Sequence, residues 1–263
     1  MKLFIDEKKC IACKLCVEVC IHDNIRVINK AEEIHGNCFE CGHCMAICPV
    51  DAITLNRYTN QKSKIQKYGS KELPVSYDDM LQFLKQRRSC RWFKDKKIDK
   101  YTFNKLFEAA YYSPSRQNLQ DVEIIVLDKD IDKFISFIYD IIKVTSNKFS
   151  RVKQLGEYLK NKTKFKHHPL LWEGQQLILI FSEDYSDALI AATRIELLAY
   201  TMGLGGFYSL FIMEADKIDH DKLMMFFPEI DNKKHMYSVF VIGYPRILFN
   251  KTIPHNKINV FYK

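Results

Sequence analysis

Eight of the nine cysteines in this chain fall into two runs of identical spacing, C-x2-C-x2-C-x3-C: Cys10, Cys13, Cys16, Cys20 and then Cys38, Cys41, Cys44, Cys48. So many thiols between positions 10 and 48 constrain the fold more than any other feature of the sequence. The second run is the first displaced by 28 residues, and the likeness extends past the thiols, since Asp23 and Ile25 in CIHDNI match Asp51 and Ile53 in CPVDAI. The segment is an internal duplication. Three closely spaced thiolates can hold three irons of a cube, and in this spacing the fourth cysteine of each run ligates the other cluster. The reading is two 4Fe-4S clusters, one on Cys10, Cys13, Cys16 and Cys48, the other on Cys38, Cys41, Cys44 and Cys20. Structural zinc would leave the third and fourth cysteines of each run without a use. A disulfide scaffold requires an oxidising compartment, which nothing else indicates. The copies differ at Ile21, which stands where the second copy has Pro49, but no ligand is lost. His22, His35 and His43 lie close to the thiols and read as surface or surrounding groups, because eight thiolates already suffice.

A 263-residue chain with 47% apolar residues exceeds the usual single domain and can bury a sizeable core. The expected division is 1–60 as a small ferredoxin-like domain, 61–76 as a linker, and 77–263 as a second domain. The linker reading rests on the polar, basic stretch 57–76, with Gly69 and Pro74 and no sustained periodicity. No apolar run approaches the ~20 residues of a membrane span, and Asp6, Glu7, Lys8 and Lys9 interrupt any leader, so a soluble cytoplasmic protein is expected. Residues 1–60 carry 7 Lys/Arg against 8 Asp/Glu, while the remainder carries 33 against 24. Without a nucleic-acid-binding motif, that basic excess points to a solvated face and a pocket for a phosphorylated cofactor rather than to nucleic acid.

Beyond the linker the pattern becomes helical. Ser76 and Asp79 are spaced as a capping box, followed by Met80, Leu81 and Leu84 on one face up to Arg87 and Arg88. A second helix is expected over about 99–110, and a long one over 186–202, apolar nearly all round and stopped by Gly203. Short β-branched runs at 122–127, 177–181 and 239–242 predict buried strands. Few strands among many helices define an α+β domain.

Four segments of this domain carry binding chemistry. RRSCRWF (87–93) places three guanidiniums and a hydroxyl just past a helix end, suited to a phosphate or a planar carbonyl. SPSRQNLQ (113–120) is a helix exit rich in amides and hydroxyls. GLGG (203–206) is either a helix-ending turn or a close backbone approach to a ligand, without the G-x-G-x-x-G spacing of a dinucleotide fold. GYPR (243–246) closes the last strand ahead of a basic tail containing Lys251. Cys90, inside the arginine motif with no evident partner base, reads as a packed thiol.

Taken together and in this order, these segments resemble the nitroreductase family of FMN-dependent oxidoreductases, and the whole chain is similar to ferredoxin-nitroreductase fusions of anaerobic bacteria. The resemblance implies an α+β homodimer with an antiparallel-type central sheet flanked by helices and one FMN in each of two interface sites. Matched position by position, Arg87, Arg88, Ser89 and Arg91 would hold the FMN phosphate, ribityl chain and pyrimidine edge. Pro114, Ser115, Arg116, Asn118 and Gln120 would come from the partner subunit. Gly205 and Gly206 would approach the flavin N5 side, and Arg246 or Lys251 would complete the phosphate pocket. Asp121 and Val122 stand where many relatives have proline and an aromatic residue, and Gln175 and Gln176 replace a small-residue and proline pair. These departures bear on substrate choice. No side chain is assigned as acid or base, since the flavin N5 carries the chemistry. The expected activity is reduction of an electron-poor small molecule, namely a nitroaromatic, quinone or activated alkene, with external ferredoxin or NAD(P)H as donor. The stretch 143–172 is a candidate pocket cover. Two alternatives are a relay of electrons to a protein partner, and a flavin-destroying or dehalogenating activity on the same fold.

Overall fold

The computed structural model describes residues 2–67 and 74–263, so part of the expected linker, 68–73, lies outside the described residues. The chain forms two compact units, Met1–Pro74 with Gln117–Leu119, and Val75–Arg116 with Gln120–Lys263.

In the first unit the duplication is visible element by element. Strand β1 (Leu3–Ile5), helix α1 (Leu15–Glu18) and strand β2 (Ile25–Val27) reappear 28 residues on as β3 (Ala31–Glu33), α2 (His43–Ile47) and β4 (Ile53–Leu55). The left-handed backbone repeats too, since Ala12, Lys14 and Asp23 share positive φ with Glu40, Gly42 and Asp51. The copies are interlocked: β1 pairs with β4 and β2 with β3, both antiparallel, so each copy's first strand is completed by the other copy's second. Leu3, Ile25, Ala52, Ile53 and Leu55 form the small apolar core, together with the buried thiols of Cys10, Cys16 and Cys44. A 3-10 segment (Asn56–Lys64) leads out of β4, occupying the start of the stretch read as linker.

The second unit is built on one antiparallel sheet in the order β5-β6-β8-β7, with β5 (Glu123–Leu127), β6 (Gln176–Ser182), β7 (Gly205–Tyr208) and β8 (His235–Gly243). Three of these strands are the runs expected from β-branched content. The fourth, β7, is too short and glycine-rich to show in the sequence, and it holds Gly205 and Gly206 within the ladder opposite Gly243 and Ile242. Strand β6 is buried along its whole length, and its alternating residues divide the domain into two layers. Ile178, Ile180, Phe240 and Ile242 pack against helices α4 (Lys100–Tyr111) and α7 (Tyr185–Thr201). Leu177, Leu179, Phe181 and Val241 face helices α5 (Ile131–Ile142), α6 (Ser150–Lys160), α8 (Leu210–Ile218) and α9 (His220–Met224).

Helix starts follow their caps: Ser76 accepts from Asp79 N at the head of α3 (Tyr77–Gln86), Asp99 from Thr102 N at α4, and Asp184 from Ser186 N and Asp187 N at α7. Gly203, at φ 71°, ends α7 as the sequence implies. No helix among the described residues is long and apolar enough to cross a membrane.

The stretch 143–172 contributes Val152, Leu155, Leu170 and Leu171 to the core, so it is part of the packed layer. Within it, His168 Nδ1 accepts from the backbone N–H of both Leu170 and Leu171 at 3.0 Å, and burial pulls the ring's pKa down to about 4. The unfolded chain binds a proton there near pH ~6.5, whereas the folded chain does not until about pH 4. This group's stabilising contribution is therefore complete above pH ~6.5 and declines as pH falls toward 4, by at most about 1.4 kcal/mol per pH unit. In urea denaturation between about pH 5 and 7, His168→Asn should flatten that part of the decline, and an unchanged slope would count against this origin.

Candidate functional site

In the first unit the cysteines gather into two hollows. One is lined by Cys20, Cys38, Cys41 and Cys44, and the other by Cys10, Cys13, Cys16 and Cys48. Each hollow combines three thiols of one run with the fourth thiol of the other, because the interlocked strands exchange the ends of the copies. Backbone N–H groups point at four of the sulfurs: Ala31 N at Cys10 Sγ (3.4 Å), and Glu40 N at Cys38, Asn24 N at Cys20 and Ala52 N at Cys48 (3.3 Å each). The last two pairs are related by the same 28-residue shift. Burial pushes the Cys44 thiol up to about 12, with Cys38, Cys41 and Cys20 adding to the rise, and burial also raises Cys16 and Cys38. Four converging sulfurs in so apolar a setting can be thiolates together only around a cationic group. The donor set thus fits an iron-sulfur cube: four sulfurs per hollow, amide donors aimed at them, and apolar walls.

In the second unit, three of the four segments singled out in the sequence meet at one end of the sheet. Cys90 N donates to Gly206 O (2.9 Å), Phe93 bridges Pro245, Lys94 N donates to Tyr244 O (2.8 Å), and Arg246 N donates to Trp92 O (2.9 Å). Segment 87–93 is thereby laid beside β7 and the end of β8. The glycines make this possible, since a Cβ at Gly205 would lie 3.0 Å from Pro245 Cγ and 3.1 Å from Cys90 Cβ, and one at Gly206 only 2.3 Å from Val241 O. Cys90 is buried, donates to Trp92 O (3.3 Å), and its thiol is pushed up chiefly by burial, as suits a packed group.

The arginines at this end divide into two kinds. Arg87 is bonded to Glu196 (2.8 Å), and Arg246 to both oxygens of Glu173 (2.8 and 2.9 Å), which also accepts from Phe93 N (3.2 Å). Among the described residues Arg88 and Arg91 have no carboxylate partner. Arg91 lies over the rings of Phe207 (5.0 Å) and Trp172 (5.8 Å), and Arg88 over Phe249 (5.9 Å). Ser89 is exposed beside them, and Lys251 lies in the exposed tail. Sequence reasoning missed Glu173 and Glu196, and reached Trp172 only as the end of the stretch 143–172. None stands inside a recognisable motif, and only the fold brings them to the arginines.

The fourth segment lies elsewhere. Arg116 N donates to both oxygens of Asp187 (2.9 and 3.0 Å) at the start of α7, and Gln120 N donates to Ser115 Oγ (2.9 Å). Asp121 accepts from Ser182 Oγ and Glu183 N beyond the far end of β6. Pro114 is exposed on the same stretch, while Asn118 is grouped with the first unit. The helix from Asp187 to Thr201 and the length of β6 both separate Arg116 and Gln120 from Gly205 by about 20 Å. In one chain, therefore, residues expected to share a site lie at opposite ends of the sheet. Asp187, buried and bonded to the loop, was another residue the sequence did not expose, hidden as one acid within an apolar helix.

Comparison with known proteins gives this arrangement its class. Residues 84–244 match the family model "Nitroreductase family", well over half of the sequence, and the chain belongs to that family. More particularly, it is a fusion, for residues 9–53 match the "4Fe-4S dicluster domain". Among solved structures, a nitroreductase with bound FMN from Bacteroides fragilis NCTC 9343 is 16% identical, covers 70% of this chain and 99% of its own, and gives a TM-score of 0.55. A BluB-like flavoprotein from Clostridium difficile 630 is 19% identical with a TM-score of 0.51, and the match covers 70% of this chain and 99% of that one. Iodotyrosine deiodinase bound to FMN and 3-iodo-L-tyrosine is 20% identical with a TM-score of 0.50, the match covering 70% of this chain and 98% of that one. At these identities the likeness is one of fold. An uncharacterized protein of Methanocaldococcus jannaschii is 32% identical over 63 residues, and the chain spans about a quarter of that relative's length.

Proposed function

We propose that this nitroreductase-family oxidoreductase binds FMN and two 4Fe-4S clusters and reduces an electron-poor small molecule, a nitroaromatic, a quinone or an activated alkene, as a cytoplasmic homodimer. The observation that carries the reading is the basic end of the sheet, where Arg88 and Arg91 stand beside Ser89 and the glycine strand without a carboxylate partner among the described residues. When bound, the clusters supply single electrons and FMN supplies two-electron reduction through its N5 position.

The chain's own residues prepare the pocket. Glu196 and Glu173 hold Arg87 and Arg246 in place by charge-assisted bonds, fixing the rim. Arg88, Arg91 and Ser89 would offer donors to a phosphate and positive charge to a reduced flavin, and Lys251 of the exposed tail would add a further cation. The Trp172 and Phe207 rings both lie against the Arg91 guanidinium and favour its position by cation–π contact. The separation of residues 114–120 from this end supports a site shared by two subunits, in which Pro114, Ser115, Arg116, Asn118 and Gln120 of one chain serve the arginines of the other. Asp187 fixes that loop by accepting from Arg116 N. External ferredoxin or NAD(P)H would be the donor.

Anaerobically purified protein should contain about eight irons and one FMN per chain. Arg91→Ala should weaken FMN retention at least tenfold, measured by flavin fluorescence released on dilution, while the iron content stays the same. Flavin-free protein with full iron would sink the FMN reading. No turnover of any small acceptor, together with fast oxidation by one protein partner, would favour the relay alternative.

A further inference from the structure

At the other end of β8 from the arginines, two imidazoles converge on one carboxylate. Asp216 near the end of α8 is 6% exposed, and its Oδ1 and Oδ2 lie 2.9 Å from His220 Nδ1 and 2.7 Å from His235 Nδ1. Met236 N donates to Oδ1 as well (3.2 Å). The two rings lie 4.2 Å apart between centroids, and one ligand atom from each of the three residues can be chosen so that all lie within 4.8 Å. His220 Nε2 lies 2.7 Å from Asn232 O, which can only accept, so that nitrogen carries hydrogen. A neutral His220 then presents the Nδ1 lone pair to a carboxylate oxygen 2.9 Å away. Two acceptors at that distance require a cation between them, a proton or a metal ion.

We propose that Asp216, His220 and His235 form a binding site for a divalent transition metal ion of the zinc class, independent of the clusters and the flavin. Two imidazole nitrogens and one carboxylate are a common donor set for such an ion, and the partly exposed side of His235 leaves a fourth position for water. The bond from His220 Nε2 to a backbone carbonyl is the support that metal-bound histidines use to fix their ring and tautomer. In a tetrahedral zinc site, ligand atoms about 2.0–2.1 Å from the metal lie roughly 3.4 Å apart, so the 2.7 and 2.9 Å contacts of Asp216 with the two imidazoles would open to admit the ion. The carboxylate and two neutral rings cancel one of the ion's two charges, leaving a site that water can finish. Calcium and magnesium, which prefer oxygen ligands, are excluded by the two imidazoles. The site joins the end of α8, the first residue of α9 and the first of β8, and Asn232 extends it into the loop before β8. Its role is to clip these elements together at the sheet end remote from the arginines.

The test uses the full-length protein, purified anaerobically with its iron and flavin, incubated with ZnCl2 and passed through a desalting column. Elemental analysis should find about one zinc per chain in the wild type. His235→Ala, at a half-exposed position, should keep iron and flavin and lose at least 90% of the zinc, and His220→Ala should behave alike. A wild type that retains no zinc overturns the proposal. So does His235→Ala or His220→Ala that retains as much zinc as the wild type, which would assign the zinc to cysteines.

Discussion

Replacing Cys20, a member of the first cysteine run, should empty the hollow built by the second. Its sulfur lines the same cavity as Cys38, Cys41 and Cys44, and it reaches that position because β2 of the first copy pairs with β3 of the second. Cys20→Ala should therefore remove about half of the roughly eight irons and leave the cluster on Cys10, Cys13, Cys16 and Cys48. Cys48→Ala should do the converse. Iron and sulfide assays report the number, and the visible spectrum reports the cluster that stays. If each run held its own cluster, Cys20→Ala would instead strip the site of Cys10, Cys13 and Cys16. The two cases separate in the double variant Cys20→Ala with Cys41→Ala. With exchanged ends both changes strike one cluster and half the iron survives, whereas self-contained runs would lose all of it. Retention of full iron by Cys20→Ala would defeat the exchanged assignment.

Gly206→Ala should be among the most damaging single-methyl substitutions in the second unit. Its Cβ would stand 2.3 Å from Val241 O and 2.5 Å from Phe240 Cζ, so β7 would have to leave β8 or Phe240, itself buried in the core, would have to move. Overpacking against backbone costs about 3 kcal/mol, visible as a lowered urea midpoint. Because Gly206 O accepts from Cys90 N, the shift should also displace segment 87–93 and release the flavin. Gly203→Ala is the contrast: no atom lies within 4 Å of its Cβ, and only the left-handed φ of 71° opposes it, for about 1–2 kcal/mol. Equal stability of the two variants would show that the close approach at Gly206 can relax.

Much of this molecule was legible before its coordinates. The repeated cysteine spacing anticipated that the thiols gather in two sets of four, and the three β-branched runs became the three longest strands of the second sheet. Other parts left no such trace. Strand β7 draws its order from the ladder with β8 and not from the preferences of Gly205 and Gly206. The partners of Arg87 and Arg246 are single acids 109 and 73 residues away in sequence. The triad of Asp216, His220 and His235 was equally invisible, since α8, α9 and β8 are brought together by burial of Ile212, Leu223 and Val239, not by local pattern. Within 143–172 the lysines Lys153 and Lys160 stand on the outer side of α6, whose inner side, with Val152 and Leu155, is core.

The crossed strand pairing has a consequence for origin. A lone 28-residue copy has an unfinished sheet at each strand and three of the four sulfurs needed at its hollow, and it could satisfy both deficits only by associating with a twin. Joining the copies end to end converts that bimolecular encounter into the closure of a short loop, whose entropy cost is small and independent of protein concentration. The present N-terminal unit thus has the layout of a symmetric pair made permanent, with the two cysteine-lined hollows standing where the twins exchanged ends.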